Sequence, residues 1–213
     1  MTLHKKIVHG FVVRHGSYDT VPEDKTPWAE LGVLNDTGRA QMARVAEALA
    51  GEKIVRIIHS PLVRAKESAE AIRQGLEFSG PLIMAQQLML LNAANAVKLF
   101  DRANDLHDGS ATLAQVCLLD EALMRQEGRR LYEFVERQLW NMSDGQSAVF
   151  VTHEPLISLG AAHGHKLWPP EPEPTVDRKT EILGKGDMMR FSMSFLGDDL
   201  KEIVTKHILL THA

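Results

Sequence analysis

Three short apolar runs constrain this chain more than any other feature: Ile7–Val13, Ile54–Ile58 and Ala148–Thr152. Each is strand-length and rich in valine or isoleucine, as expected of strands buried on both faces. Helical patterns lie between them. Asn35 or Asp36 is expected to cap a helix over Thr37–Ala50, with Ala40, Ala43, Ala46 and Leu49 on one side and Gly51 as its stop. Ser60-Pro61 opens a second helix to about Gln74, proline being harmless in a first turn whose N–H groups have no helical partner. Pro81–Met84 reads as a short strand. Asn92–Asn104 and Asp120–Trp140 read as helices, the latter with Leu123, Leu131, Phe134, Val135 and Leu139 at helical spacing. Pro155–Ala162 reads as a short helix, and the C-terminal "MMRFSMSF", "LGDD", "LKEIVTKHILL" as an antiparallel hairpin at a sheet edge. The expected fold is α/β: a mostly parallel central sheet covered on both faces, in one domain over residues 1–213.

Each run breaks into polar residues where it ends. The first exits into Arg14-His15-Gly16 and the second into His59-Ser60, with Arg64 following in the first turn of the next helix. The third exits into His153-Glu154. Ligands in such sheets bind at the carboxyl ends of the strands. Taken singly, each cluster is an ordinary turn or a surface arginine. An arginine at a helix N-terminus nevertheless opposes the helix dipole, which favours a functional reading of Arg64.

If the three strands are neighbours, two histidines and two arginines converge. Guanidinium forks grip phosphoryl oxygens, and a neutral imidazole is a competent nucleophile near neutral pH. Nearby arginine charge keeps that ring unprotonated. The second histidine would donate to a phosphoryl oxygen in the transition state. Gly16 is expected to let the backbone approach the phosphate, with Ser17, Ser60 and Glu154 beside it as further substrate-binding candidates. The rival reading of His15 and His153 as metal ligands is opposed by the adjacent arginines, so neither metal nor cofactor is expected.

Composition narrows the partners. The formal net charge of −4 over 213 residues offers no basic field for nucleic acid or an anionic membrane. No apolar run reaches the ~18 residues of a membrane span. The start of the chain lacks a signal-peptide pattern, so a cytoplasmic location is expected. The single cysteine, Cys117, has apolar neighbours and reads as a buried, inert thiol. "HGH" at His163–His165 has metal-like spacing but no acidic or cysteine partner beside it, and reads as the polar end of a helix. The proline-rich Trp168–Pro174 stretch reads as a solvated loop. Tyr18, Trp28 and Trp168 are candidates for lining an entrance.

"VVRHG", "LNDTGRAQ", "SPLVRAKESA" and "VTHEPL" together resemble the four signature segments of the histidine phosphatase superfamily, also called phosphoglycerate mutase-like. The resemblance covers Ile7 to about Ser158. It implies a three-layer α/β/α sandwich, no metal, a phosphohistidine formed on His15, and a phosphate pocket completed by Arg14, Arg64 and His153.

The chain also departs from that pattern. Phosphoglycerate mutases continue the Arg-His-Gly triplet with a glutamate and, further on, an asparagine. Here Ser17-Tyr18-Asp19 follows, and Val21 stands where the asparagine is expected. They also carry an acid after the third strand, where this chain reads "QQLMLLNAANAVKLF", without a carboxylate before Asp101. Mutase activity is therefore not expected. "HEPL" and the compact length resemble the small bacterial phosphohistidine phosphatases, which have no obvious acid. Imidazole leaves phosphorus more readily than an alkoxide, so phosphohistidine or another activated phosphate, on a small molecule or a phosphoprotein, is the expected substrate. Two alternatives stand beside it: a general phosphomonoesterase with Glu154 as acid, and a non-catalytic phosphate- or phosphopeptide-binding module. Specificity is expected in Ser17–Leu34, Leu88–Ser110 and Lys166–Lys185.

Overall fold

A computed structural model describes residues 5–21, 23, 31–91, 93–164, 185–196 and 199–208. The expectations for Trp28, His165 and the Trp168–Pro174 stretch lie outside them. In chain order the elements are β1 (Lys5–Arg14), β2 (Tyr18–Asp19), β3 (Val33–Leu34), α1 (Asp36–Leu49), β4 (Ile54–His59), α2 (Val63–Gly75) and β5 (Leu82–Met84). A 3₁₀ turn (Gln86–Leu88), α3 (Ala93–Leu106), α4 (Leu113–Leu119), α5 (Glu121–Trp140), β6 (Ser147–Thr152), α6 (Leu156–Gly164), β7 (Met188–Leu196) and β8 (Asp199–Ile208) complete them.

Six strands form one sheet in the order β5-β4-β6-β1-β7-β8. β5, β4, β6 and β1 run parallel, and β7 is antiparallel to both of its neighbours, so the C-terminal hairpin forms the edge as expected. The last of the three apolar runs, β6, inserts between the other two. Its register pairs Arg14 with Thr152 and His59 with Val151, which brings the three polar exits side by side.

Alternation along the strands divides the core. Phe11, Val13, Ile57, Val149 and Val151 pack against Met42, Val45 and Leu49 of α1 and Ala65, Ala69 and Ile72 of α2. Val8, Val12, Ile58, Ala148 and Phe150 pack on the other face with Val116 of α4, Met124, Leu131 and Leu139 of α5, and Leu156 of α6. Burying each larger side chain contributes roughly 1.5–3 kcal/mol, so both faces hold the strands in place.

Three local expectations change. The buried face of α1 is Gly38, Gln41, Met42, Val45, Ala46 and Leu49, while Ala40 and Ala43 are exposed. Larger apolar residues bury more area and so turn that helix. α2 begins after Pro61, with Leu62 as its N-cap. α4, absent from the sequence reading, carries a capping box in which Thr112 and Gln115 satisfy each other's backbone N–H groups. "TLAQ" was its legible signal. Much of the Leu88–Ser110 stretch expected to set specificity is α3. Cys117 is fully buried and its thiol is pushed up to about 12, first by burial. Among the described residues no helix is long and apolar enough to cross a membrane.

Candidate active site

β1 delivers His15 one residue past its end, 4% exposed. Its backbone N–H donates to the Thr152 carbonyl at 3.1 Å, tying it to β6. The ring is held in one tautomer. Nδ1 lies 2.8 Å from the Gly16 carbonyl oxygen, which can only accept, so Nδ1 carries the proton and Nε2 keeps its lone pair. Arg64 Nε–H donates to that lone pair at 3.2 Å. Burial, then the Arg64 charge, lowers the His15 pKa to about 3; the Gly16 bond opposes this and Arg14 and Lys185 add to it.

His153, 8% exposed at the exit of β6, stands with its ring centroid 5.0 Å from that of His15. Its Nε2 is 2.5 Å from Ser60 Oγ. Ser60 Oγ accepts from the Leu62 N–H at 3.4 Å, leaving its own proton to donate to Nε2. The proton of a neutral His153 then sits on Nδ1, which is buried without a hydrogen-bond partner among the described residues. Burial, followed by the charges of His15, Arg64 and Arg14, holds His153 well below the ordinary histidine range, so the ring is neutral. Its orphaned N–H is a donor awaiting an acceptor.

Arg64 sits in the first turn of α2 and is 3% exposed. Burial lowers the pKa of Arg14, opposed by Glu154, Tyr18 and Asp187. His59 is buried with Nδ1 on the Ser60 carbonyl at 2.7 Å, so of the three strand-end histidines only His15 and His153 meet.

Gly16 makes a close approach within the protein. A Cβ there would lie 2.7 Å from the Gly38 carbonyl oxygen, and its N–H donates to Ser68 Oγ at 3.1 Å. A Cβ on Gly38 would lie 2.0 Å from the Ser17 carbonyl oxygen. The two glycines let the loop after β1 press on the start of α1. The Ser17 N–H donates to Gln41 Oε1 at 2.7 Å. The Ser60 hydroxyl is directed at His153 Nε2. Glu154 turns Oε2 to the N–H and hydroxyl of Ser158, at 3.4 and 3.0 Å, in the first turn of α6. Asp101 is exposed on α3.

Two neighbours were not singled out by the sequence. Asp187, 1% exposed, accepts the Arg14 N–H on its backbone carbonyl at 3.0 Å. Lys185 Nζ stands 4.7 Å from the Tyr18 ring centroid. The signal for both was faint, a Lys-Gly-Asp triplet before the last apolar pair of strands. His163 closes α6 against Tyr132, ring centroids 5.4 Å apart. Among the described residues no group of three or more His, Cys, Asp or Glu side chains is arranged to hold a metal.

In this sheet order, basic and imidazole groups gather at the exits of adjacent parallel strands. Residues 11–173 match the histidine phosphatase superfamily (branch 1), and the chain belongs to that superfamily. No curated protein matches the sequence. Among solved structures, mycobacterial hydrolase 1 superposes with a TM-score of 0.60 at 15% identity, over 97% of this chain and 98% of its own. A mycobacterial glucosyl-3-phosphoglycerate phosphatase complexed with VO3 gives 0.58 at 16%, over 93% and 96%. A phosphoglycerate mutase from Bacillus anthracis gives 0.58 at 14%, over 94% and 93%. At these identities the likeness is one of fold, and it bears out the expected phosphoglycerate mutase-like α/β architecture.

Proposed function

We propose that this chain is a metal-independent phosphatase that works through a phosphohistidine on His15. The observation that carries this reading is the His15 ring, with its Nδ1 proton on Gly16 and its Nε2 lone pair facing the Arg64 guanidinium. With a pKa near 3 the ring is unprotonated at neutral pH and ready to attack. Nε2 forms a bond to phosphorus while the bond to the leaving oxygen or nitrogen breaks, its electron pair departing with the leaving group, which then takes a proton. Water next attacks phosphorus. The P–N bond breaks, its pair returns to Nε2, and phosphate leaves. Arg14 and Arg64 grip the phosphoryl oxygens, and His153 donates from Nδ1 as charge spreads over them.

The same geometry supports a substrate class. Of the two acid candidates, Glu154 is engaged with Ser158 and acts on Arg14, and Asp101 is exposed on α3. A site without a dedicated carboxylic acid among the described residues suits a phosphoramidate such as phosphohistidine, or another activated phosphate, on a small molecule or a phosphoprotein. The absence of a carboxylate between β5 and Asp101 likewise argues against mutase chemistry.

Rapid mixing with a labelled aryl phosphate and alkaline quench should trap acid-labile label on the wild type and none on His15→Ala. Absence of both label and hydrolysis across phosphohistidine, sugar phosphates and phosphopeptides would refute the reading. Phosphate-ligand binding without turnover would instead make the chain a binding module. Glu154→Gln should slow alkyl and aryl phosphates alike; selective loss of alkyl esters would assign the acid role to Glu154.

A further inference from the structure

Lys185 is brought to the site from the far end of the chain. Its neighbour Gly186 donates its N–H to the Arg14 carbonyl at 3.2 Å, and Arg14 donates back to Asp187 at 3.0 Å. The segment before β7 is thereby laced to the exit of β1. Its ammonium stands over Tyr18, 4.7 Å from the ring centroid, and the Arg64 guanidinium carbon lies 4.5 Å from the same centroid. Tyr18 in turn packs edge-on to His15, with centroids 5.3 Å apart. One aromatic ring therefore touches two cations and the candidate nucleophile.

By itself this arrangement works against stability. Among the described residues the charges acting on Lys185 are those of Arg14 and Arg64, both of its own sign, and together with burial they lower its pKa. Cation–π contact with Tyr18 offsets part of that repulsion and leaves the ammonium protons available. Like charges gathered in a half-buried pocket are resolved by an anion.

We infer that Lys185 is a third substrate-binding cation, gripping phosphoryl oxygens beside Arg14 and Arg64, and that Tyr18 is the positioning residue that holds Lys185 and Arg64 toward the pocket. The inference rests on the reading of this site as a phosphoryl site. It also explains why a motif confined to the first three-quarters of the chain leaves the pocket incomplete: the last cation arrives with β7.

The test uses inorganic phosphate and the full chain, with calorimetric titration and thermal unfolding. Wild type should bind phosphate and be stabilised by it. Lys185→Gln should weaken binding roughly tenfold, while Lys185→Arg stays within about threefold. Without phosphate, Lys185→Gln should unfold a few degrees higher than wild type, because a repelled charge has gone. A merely structural lysine would give the opposite shift. Tyr18→Ala should weaken binding in the same direction as Lys185→Gln, and Tyr18→Phe should not. Phosphate affinity unchanged in Lys185→Gln but lost in Arg64→Gln would overturn the role of Lys185 and leave the phosphoryl site standing. Wild type that binds no phosphate at millimolar concentration would overturn both.

Discussion

Two clusters of buried charge in this molecule are built on opposite terms. On α5, Glu127 is 2% exposed, and its Oε2 accepts from Arg130 Nη2 at 2.7 Å and Nε at 3.2 Å. Its Oε1 accepts the Leu91 N–H at 3.1 Å, while Arg130 Nη1 reaches the Gln87 carbonyl at 2.8 Å and Nη2 the Met89 carbonyl. Opposite charges and backbone groups satisfy one another, and the cluster pins the turn after β5 to α5. At the exits of β1, β4 and β6, by contrast, cations and imidazoles depress one another's protonation, and the Nδ1–H of His153 has no acceptor among the described residues. The satisfied cluster belongs to the fold. The other gathers charges of like sign, an arrangement that an anion would favour.

The contrast predicts a double dissociation. Arg64→Gln should lower kcat/KM by about 10²–10³-fold while leaving the melting temperature unchanged or raised. A parallel loss of stability would show that Arg64 is structural after all. Glu127→Gln should do the reverse. It leaves Arg130 as a poorly compensated cation and should destabilise by about 3 kcal/mol in urea titration, with activity per folded molecule preserved.

Protonation offers a third probe. The folded-state pKa of His15 is near 3, below the ordinary 6.5 of an unfolded chain, so between these values only the unfolded state takes up the proton. Stability should fall as pH drops from 6.5 toward 3, and His15→Gln should remove part of that slope, on the order of a few kcal/mol over the window. Coincident pH profiles for the two proteins would contradict the burial of a neutral ring.

The smallest expected effect is that of Ser60→Ala. Losing the hydroxyl that fixes the His153 tautomer should cost about 1 kcal/mol of transition-state stabilisation, seen in kcat with KM nearly unchanged. A change in KM alone would mean that Ser60 binds substrate directly.

Much of this molecule was legible in advance. Strand-length apolar runs, caps and stops marked β1, β4, β6, α1 and α5 to within a few residues, because local burial and capping leave periodic traces. The placement of Arg14, His15, Arg64 and His153 at one end of the sheet was legible because Arg14 ends β1, His15 and His153 follow strand ends directly, and Arg64 lies in the first turn of the helix after β4. α4 was missed because its seven residues are too short for periodicity to register. The buried face of α1 was misjudged because alanines at helical spacing look like a core until larger side chains claim it. The contact of Gly16 with Gly38 was not legible because a glycine shows only that something comes close, not what.

By itself the sequence determined which side chains leave each strand and in what order along the chain, since both follow from local pattern and covalent connectivity. Only the tertiary structure decided who stands next to whom. The insertion of β6 between β4 and β1 sets His153 beside His15, and the return of β7 along β1 brings Lys185 and Asp187 to Arg14. Strand order is a global packing solution in which two helical layers must each cover one face of the sheet, and no local propensity carries that information.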